Sequence, residues 1–157
     1  MQFEVTHNEL GTHLDWSLEG VNAREIDWFW SNMEKCFILW HPEQHEHLTW
    51  PVAPVQGNPI GAIHNAPRRG DDGRRQNLFI RFEAIESLAP ELRDVIEHEH
   101  VLIAAGLGFD DEALANGVPM GYRMHQWSKS DSGVVGKSSA LPTRIPETVE
   151  QGKVWAA

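Results

Sequence analysis

The chain has 157 residues, of which 41% are hydrophobic and seven are tryptophan, so residues 1–157 are predicted to form one folded domain with a substantial core. Its net charge of −10 disfavours a nucleic-acid partner, because proteins that bind nucleic acids normally present a basic face. No apolar stretch is long enough for a membrane span, and the N-terminus lacks the pattern of a signal peptide. The single cysteine permits no internal disulfide. We therefore expect a cytoplasmic protein with no membrane partner.

The first predicted element is an amphipathic helix over residues 23–39. Asn22 followed by Glu25 resembles a capping box, which marks the start of a helix. Apolar residues then recur at steps of three and four from Ile26 to Trp40, the spacing of one helix face.

Three histidines follow this helix closely: His41, His45 and His47. Pro42 is expected to open a short second helix, in which His41 and His45 are four positions apart. Imidazole is the commonest metal ligand and the usual acid–base group near neutral pH, so this stretch is the richest in potential chemistry. A plainer interpretation is that His41 is structural and that His47 is exposed.

The rest of the chain predicts mainly strands. They cover residues 60–64, 77–83, 100–106, 120–127 and 132–141, with a polar loop over 65–76, a short helix over 90–97, an acidic loop over 109–117 and a terminal helix beginning at Pro146. The basic cluster in the polar loop, which includes Arg68, is interrupted by glycines and aspartates and is interpreted as solvated. This order of elements predicts an α+β fold in which a sheet wraps around a helix, and such sheets often enclose a cavity.

Two segments carry a resemblance to a known family. They are Ile26-Asp-Trp28-Phe-Trp30 and Leu39-Trp40-His41-Pro42-x-x-His45. Both resemble segments of the 2,4-diacetylphloroglucinol hydrolase and phloretin hydrolase family, and the resemblance covers roughly residues 15–157. It implies a helix-grip, START-like fold, in which an antiparallel sheet wraps around a helix and leaves an internal cavity. It also implies a zinc-dependent hydrolase that cleaves the carbon–carbon bond between an acyl group and a polyhydroxylated aromatic ring.

The resemblance also implies roles for single residues. His45 corresponds to a Zn²⁺ ligand, and His125 corresponds to a histidine that lies at the substrate. A further ligand, a glutamate in the family, corresponds to His64, with Glu83 as a weaker candidate. Phe37 stands where the family has a tyrosine that contacts the ring hydroxyls. The histidine and glutamate that complete the family's ligand set on a C-terminal helix have no counterpart before the chain ends.

The chemistry of such a site needs a metal, an acid and an aromatic pocket. Zinc supplies an activated water and polarises the ketone. The leaving group is a ring carbon that departs only when it is protonated, and His125 is the expected proton donor. Phe37, Trp40 and Tyr122 are expected to contact the aromatic substrate, Tyr122 only if a bulge at Gly121 turns it toward the face of His125.

The departures from the family pattern leave other functions open. One is a non-catalytic binding module for small aromatic or hydrophobic ligands, which Phe37 and the incomplete ligand set favour. Another is a homo-oligomer in which a partner chain completes the site. At the level of single residues, a surface position for His45, a strand end for His64 and a plain tryptophan core are the simpler interpretations.

Overall fold

One antiparallel sheet dominates the computed structural model, which describes residues 2–143. The elements in chain order are β1 (Gln2–Asn8), β2 (Gly11–Glu19), α1 (Ala23–Ser31), α2 (Met33–Trp40), β3 (Ile63–Arg69), β4 (Arg75–Glu83), α3 (Pro90–Arg93), β5 (His100–Gly108), α4 (Asp111–Asn116), β6 (Gly121–Lys129) and β7 (Gly133–Leu141), and one 3₁₀ turn covers Ile85–Ser87. Within the described part, seven strands pair in the order β1-β2-β7-β6-β5-β4-β3, and every pair is antiparallel.

The predicted first helix is two helices. The capping box at its start is confirmed, because the Glu25 amide donates to Asn22 Oδ1 (3.1 Å) and the Asn22 amide donates to Glu25 Oε2 (2.8 Å). The interruption lies at Asn32, whose backbone leaves the helical region at φ −133° and ψ 30°. Its side-chain amide donates to the carbonyl of Trp28 (2.9 Å), since a short polar side chain competes with the helical ladder. The chain therefore bends between α1 and α2.

The core lies on both faces of the sheet. We call the face covered by α1 and α2 the inner face; there Trp30, Met33 and Phe37 pack with Phe82 and Trp127. The outer face is covered by the segment around α3, from which apolar side chains pack onto β5, β6 and β7. That outer cluster consists of Leu88, Leu92, Val95, Ile103, Met124 and Leu141. The described residues thus form a sheet with short helical segments on either side.

The predicted helix-grip arrangement is wrong. In residues 2–143 the helices are short and lie on both faces, so the sheet does not wrap around a helix; the broader α+β class is loosely consistent with the structure. The prediction came from the family resemblance and from the order of elements, and that order does not say on which side of a sheet a helix packs. The helix predicted from Pro146 lies outside the described residues. Among the described helices, none is long and apolar enough to cross a membrane.

Three local differences affect the site. Strands β1 and β2 were not part of the prediction. The predicted polar loop over 65–76 is mostly strand, because β3 continues to Arg69 and β4 begins at Arg75. After Pro42 there is a single turn, in which the His45 amide donates to the carbonyl of His41 (2.8 Å), rather than a second helix. The first difference adds apolar side chains such as Leu14 and Leu18 to the inner face, and the other two bring His45 beside Arg68.

Gly136 on β7 leaves room for a tryptophan side chain. It is paired with Trp16 on β2, and the indole Nε1 of Trp16 donates to Ser138 Oγ (3.1 Å). A Cβ atom at position 136 would meet the Trp16 ring and the carbonyl oxygen of Gln126. We expect Gly136→Ala to lower the free energy of unfolding by about 1–3 kcal/mol, the usual cost of overpacking.

Denaturant unfolding checks this expectation. The matched control is Val135→Ala, at an exposed neighbouring position where the change is expected to cost less than about 1 kcal/mol. Equal or greater stability of Gly136→Ala would contradict the packing argument, since a Gly-to-Ala change without a clash stabilises by reducing the entropy of the unfolded chain.

Candidate functional site

A large apolar cavity lies on the inner face. We name it the apolar cavity; its volume is about 800 Å³. Its walls come from β1, β2, α1, α2, β6 and β7, with Val21 from the connection before α1. The lining residues are Phe3, Leu14, Trp16, Leu18, Val21, Glu25, Ile26, Phe29, Trp30, Cys36, Leu39, Trp40, His125, Trp127 and Ser138. Some of them, such as Leu39, are strongly exposed, whereas Trp127 is buried, so the cavity runs from the surface to the sheet.

Strand alternation and register bring these residues together. Leu14, Trp16 and Leu18 are two apart on β2, so all three point to the same face. Leu14 is paired with Ser138 on β7, and Ser138 is paired with His125 on β6. An aliphatic side chain, a hydroxyl and an imidazole thus form one row across three strands.

His125 is the main polar group at the floor of the apolar cavity. Its Nδ1 lies 2.9 Å from Ser138 Oγ, and its ring stacks on that of Trp30 with centroids 4.9 Å apart. Burial, and secondarily the charge of Arg123, lowers the pKa of His125 to about 4. The imidazole is therefore uncharged near neutral pH and can donate or accept a hydrogen bond without charge.

A second cavity adjoins the first and is more polar. We name it the basic cavity; its volume is about 430 Å³, and it shares Trp30, Trp40 and His125 with the apolar cavity. The lining residues are Trp30, Met33, Phe37, Trp40, His41, Gln44, His45, His64, Ala66, Arg68, Gln76, Leu78, Ile80, Phe82, Ala104, Phe109, Arg123 and His125. Two arginines and four histidines lie in this set, and no aspartate or glutamate is among these described lining residues.

His64 is a buried histidine in the wall of the basic cavity. Only 2% of its surface is exposed, and its ring lies against Trp50 and Phe82, with centroids 5.4 and 5.1 Å away. Burial lowers the pKa of His64 to about 4. Its Nδ1 has no hydrogen-bond partner among the described residues, so a buried polar atom stays unpaired in an apolar setting.

Both arginines line the basic cavity. The Arg68 guanidinium contacts Gln76 Oε1 through Nε (3.4 Å) and Nη2 (3.3 Å). Burial lowers the pKa of Arg123, and the positive charge of Arg68 lowers it further. The influence of one guanidinium on the other indicates that they create a region of positive potential.

His45 also lines the basic cavity. Its ring stacks on Phe37 with centroids 4.0 Å apart, and its Nδ1 donates to the carbonyl oxygen of Phe37 (3.0 Å). Burial is the main cause that lowers the pKa of His45. The helix α2 thus holds this imidazole by two contacts from one residue.

The predicted zinc site is wrong. In residues 2–143 no group of three or more histidine, cysteine, aspartate or glutamate side chains could hold a metal ion. His45 and His64 line the same cavity, but Glu83 follows the inward-facing Phe82 and so points to the outer face. There its carboxylate accepts from Arg81 Nε (2.7 Å). Because side chains alternate along β4, the Glu83 carboxylate lies on the face opposite to His45 and His64.

The proposed substrate contacts are divided between the two faces. Phe37 is buried and lines the basic cavity, and Trp40, which is 55% exposed, lines both cavities. Tyr122 lines neither; it packs with Met124 in the outer cluster. Because the pairing of β5 with β6 is regular from residue 121 to 127, no bulge turns Tyr122 toward His125.

Several lining residues were missed by the prediction from sequence. Leu14, Trp16 and Leu18 belong to an unpredicted strand, although their alternation was a usable signal. Arg68 was assigned to a solvated loop. Its position two after Ala66 and four after His64 is the strand spacing that places all three on one face.

Comparison with known proteins gives a fold and no family. No protein-family model and no curated protein sequence matches the chain. A crystal structure of a Mycobacterium smegmatis protein superposes with a TM-score of 0.62 at 13% identity, over 94% of this chain and 82% of that chain. A Rhodobacter sphaeroides crystal structure gives 0.57 at 14% identity, over 99% and 87%. A solution structure from Arthrobacter aurescens gives 0.56 at 12% identity, over 99% and 80%.

Proposed function

We propose that the chain binds small, largely apolar aromatic molecules in the apolar cavity. The observation that carries this proposal is a cavity of about 800 Å³ whose walls are mainly aromatic and aliphatic. Pockets for small molecules typically measure about 300–1,000 Å³ and have apolar walls with a few placed polar groups. Four tryptophans in the lining suit flat aromatic rings, which pack against indoles by stacking or edge contacts.

The polar groups of the apolar cavity favour an uncharged ring system that carries a hydrogen-bond acceptor, whatever the charge of a part that lies outside this cavity. His125 is uncharged near neutral pH because burial lowers its pKa. The indole Nε1 of Trp30 is buried and has no hydrogen-bond partner among the described residues. An unpaired buried donor costs about 1–3 kcal/mol, so a carbonyl or ether oxygen that accepted from it would add affinity.

Binding has more support than carbon–carbon bond hydrolysis. The hydrolase function came from a resemblance that implied a zinc ion with a full ligand set, and the described residues do not supply such a set. The binding module that the sequence left open needs only the cavity and its aromatic walls. We therefore take ligand binding as the function that the geometry supports best.

Titration with the neutral fluorescent naphthyl ketone Prodan tests this function. We expect saturable binding with a blue shift of Prodan emission. In Leu18→Trp the cavity is partly filled, because Leu18 lines it on β2, and affinity is expected to fall about tenfold or more, since overpacking costs about 1–3 kcal/mol.

The matched control is Val135→Trp, which adds the same ring at an exposed position on β7 that does not line the cavity. This variant is expected to bind Prodan like the unaltered chain. Absence of saturable binding to the unaltered chain, or equal affinity in all three proteins, would overturn the proposal.

A further inference from the structure

The basic cavity has a charge opposite to that of the chain. The protein carries a net charge of −10, yet the described lining of this cavity contains Arg68 and Arg123 and no carboxylate. Glu46, which follows the lining residue His45, pairs with Arg75 (2.7 Å). Arg68 lines a partly apolar cleft, and a positive charge there attracts an anion more strongly than the same charge on an open surface.

Neutral polar groups line the same cavity. Gln76 Oε1 accepts from the guanidinium of Arg68, which orients the guanidinium. His64 has a buried Nδ1 without a partner among the described residues. A guanidinium recognises a carboxylate by two parallel hydrogen bonds, and further donors reduce the cost of removing that anion from water.

The two cavities meet at shared side chains. Trp30, Trp40 and His125 line both, so an extended molecule can lie in the apolar cavity and reach the basic one. An anion with a single charge fits this arrangement better than a phosphate, because the remaining walls include Phe37, Phe82 and other apolar side chains that cannot solvate a second charge.

We propose that the basic cavity binds the carboxylate of an amphipathic ligand whose aromatic or aliphatic body occupies the apolar cavity. The inference rests on the proposed function, since the body needs the apolar cavity. It adds the ligand class: an aryl-alkyl or related monocarboxylic acid, held at its acidic end by Arg68.

Displacement of Prodan by phenylhexanoate and by its methyl ester tests this ligand class near pH 7.5, where a carboxylic acid is ionised. The two competitors share a body and differ in charge. We expect the acid to displace Prodan at a concentration about tenfold lower than the ester, the gain expected from a charge-assisted hydrogen bond.

Arg68→Gln is expected to remove most of that advantage and to leave displacement by the ester unchanged. Arg69→Gln is the matched control, because Arg69 is the next residue on β3, points to the other face, and pairs with Glu46 (3.5 Å). It removes the same charge without touching the cavity. An unchanged ester affinity also shows that the apolar cavity is intact in both variants.

Three results would overturn the inference while leaving the proposed function in place. They are equal displacement by acid and ester, equal losses in Arg68→Gln and Arg69→Gln, and calorimetric binding of phenylhexanoate that does not displace Prodan. The last result would mean that the two cavities bind separate molecules. Failure of Prodan itself to bind would instead overturn the proposed function, and this inference with it.

Discussion

Acidification from pH 7 to pH 4 is expected to lower the free energy of unfolding by several kcal/mol. Burial lowers the pKa of His64 to about 4 in the folded chain, from an ordinary value of 6.5. The unfolded chain therefore takes up a proton first as the pH falls. The stability from the neutral folded imidazole is complete above pH 6.5 and is lost progressively between pH 6.5 and pH 4.

The size of the loss follows from the pKa difference. A difference of one in pKa corresponds to about 1.4 kcal/mol, so His64 alone accounts for about 3 kcal/mol. The pKa of His125 is also lowered to about 4 and adds a loss of the same sign, reduced because its ring has surface facing the cavities. Typical domains are stable by only about 5–15 kcal/mol, so a large share of the stability is expected to be lost near pH 4.

Urea unfolding of the chain and of two variants over this pH range measures the effect. His64→Leu replaces the buried imidazole by an apolar side chain and is expected to reduce the pH dependence by about 3 kcal/mol. His47→Leu removes an exposed imidazole and is expected to keep the pH dependence of the unaltered chain. The same pH dependence in His64→Leu and the unaltered chain would show that His64 does not stay neutral on folding.

Phe82→Ala is expected to destabilise the fold by about 3–5 kcal/mol, the usual cost of removing a buried aromatic ring. Phe82 is 1% exposed and lies at the centre of the inner core. Its ring centroid is 6.0 Å from that of Trp30 and 5.1 Å from that of His64. Its loss would leave a void between α1 and the sheet that neither neighbour can fill.

Guanidinium unfolding at pH 7 checks this expectation. Phe3→Ala is the matched control, because the same ring is removed where it is 67% exposed on the edge strand β1, and the expected cost is below about 1 kcal/mol. Similar losses for the two variants would contradict the assignment of Phe82 to the core.

Local patterns predicted those elements whose signals lie within a few residues of sequence. The capping box at Asn22 and Glu25 set the start of α1, and the alternation over 77–83 predicted most of β4. Strand β1 carried only a short alternation of Phe3 and Val5, and both side chains are exposed because the strand lies at the sheet edge. An exposed edge strand has no buried face for the pattern to mark.

The candidate site was predicted only in part for a related reason. His45, His64 and His125 were singled out by residue type, and all three line the basic cavity. The zinc set failed because Glu83 was proposed from the family resemblance, which did not consider that its face of β4 is opposite to that of Phe82. Arg68 was missed because a charged residue beside glycines and aspartates has the composition of a loop, although β3 extends through it.

By itself the sequence determined the helical cap, the main strands and the residue types capable of chemistry, because propensity and periodicity act over neighbouring residues. Only the tertiary structure decided which of those residues meet. The pairing of β2 with β7 brings Leu14 and Ser138 together over more than a hundred residues of chain, and alternation assigns Glu83 and Tyr122 to the outer face. Cavities arise from such long-range register and packing, for which no stretch of neighbouring residues carries the information.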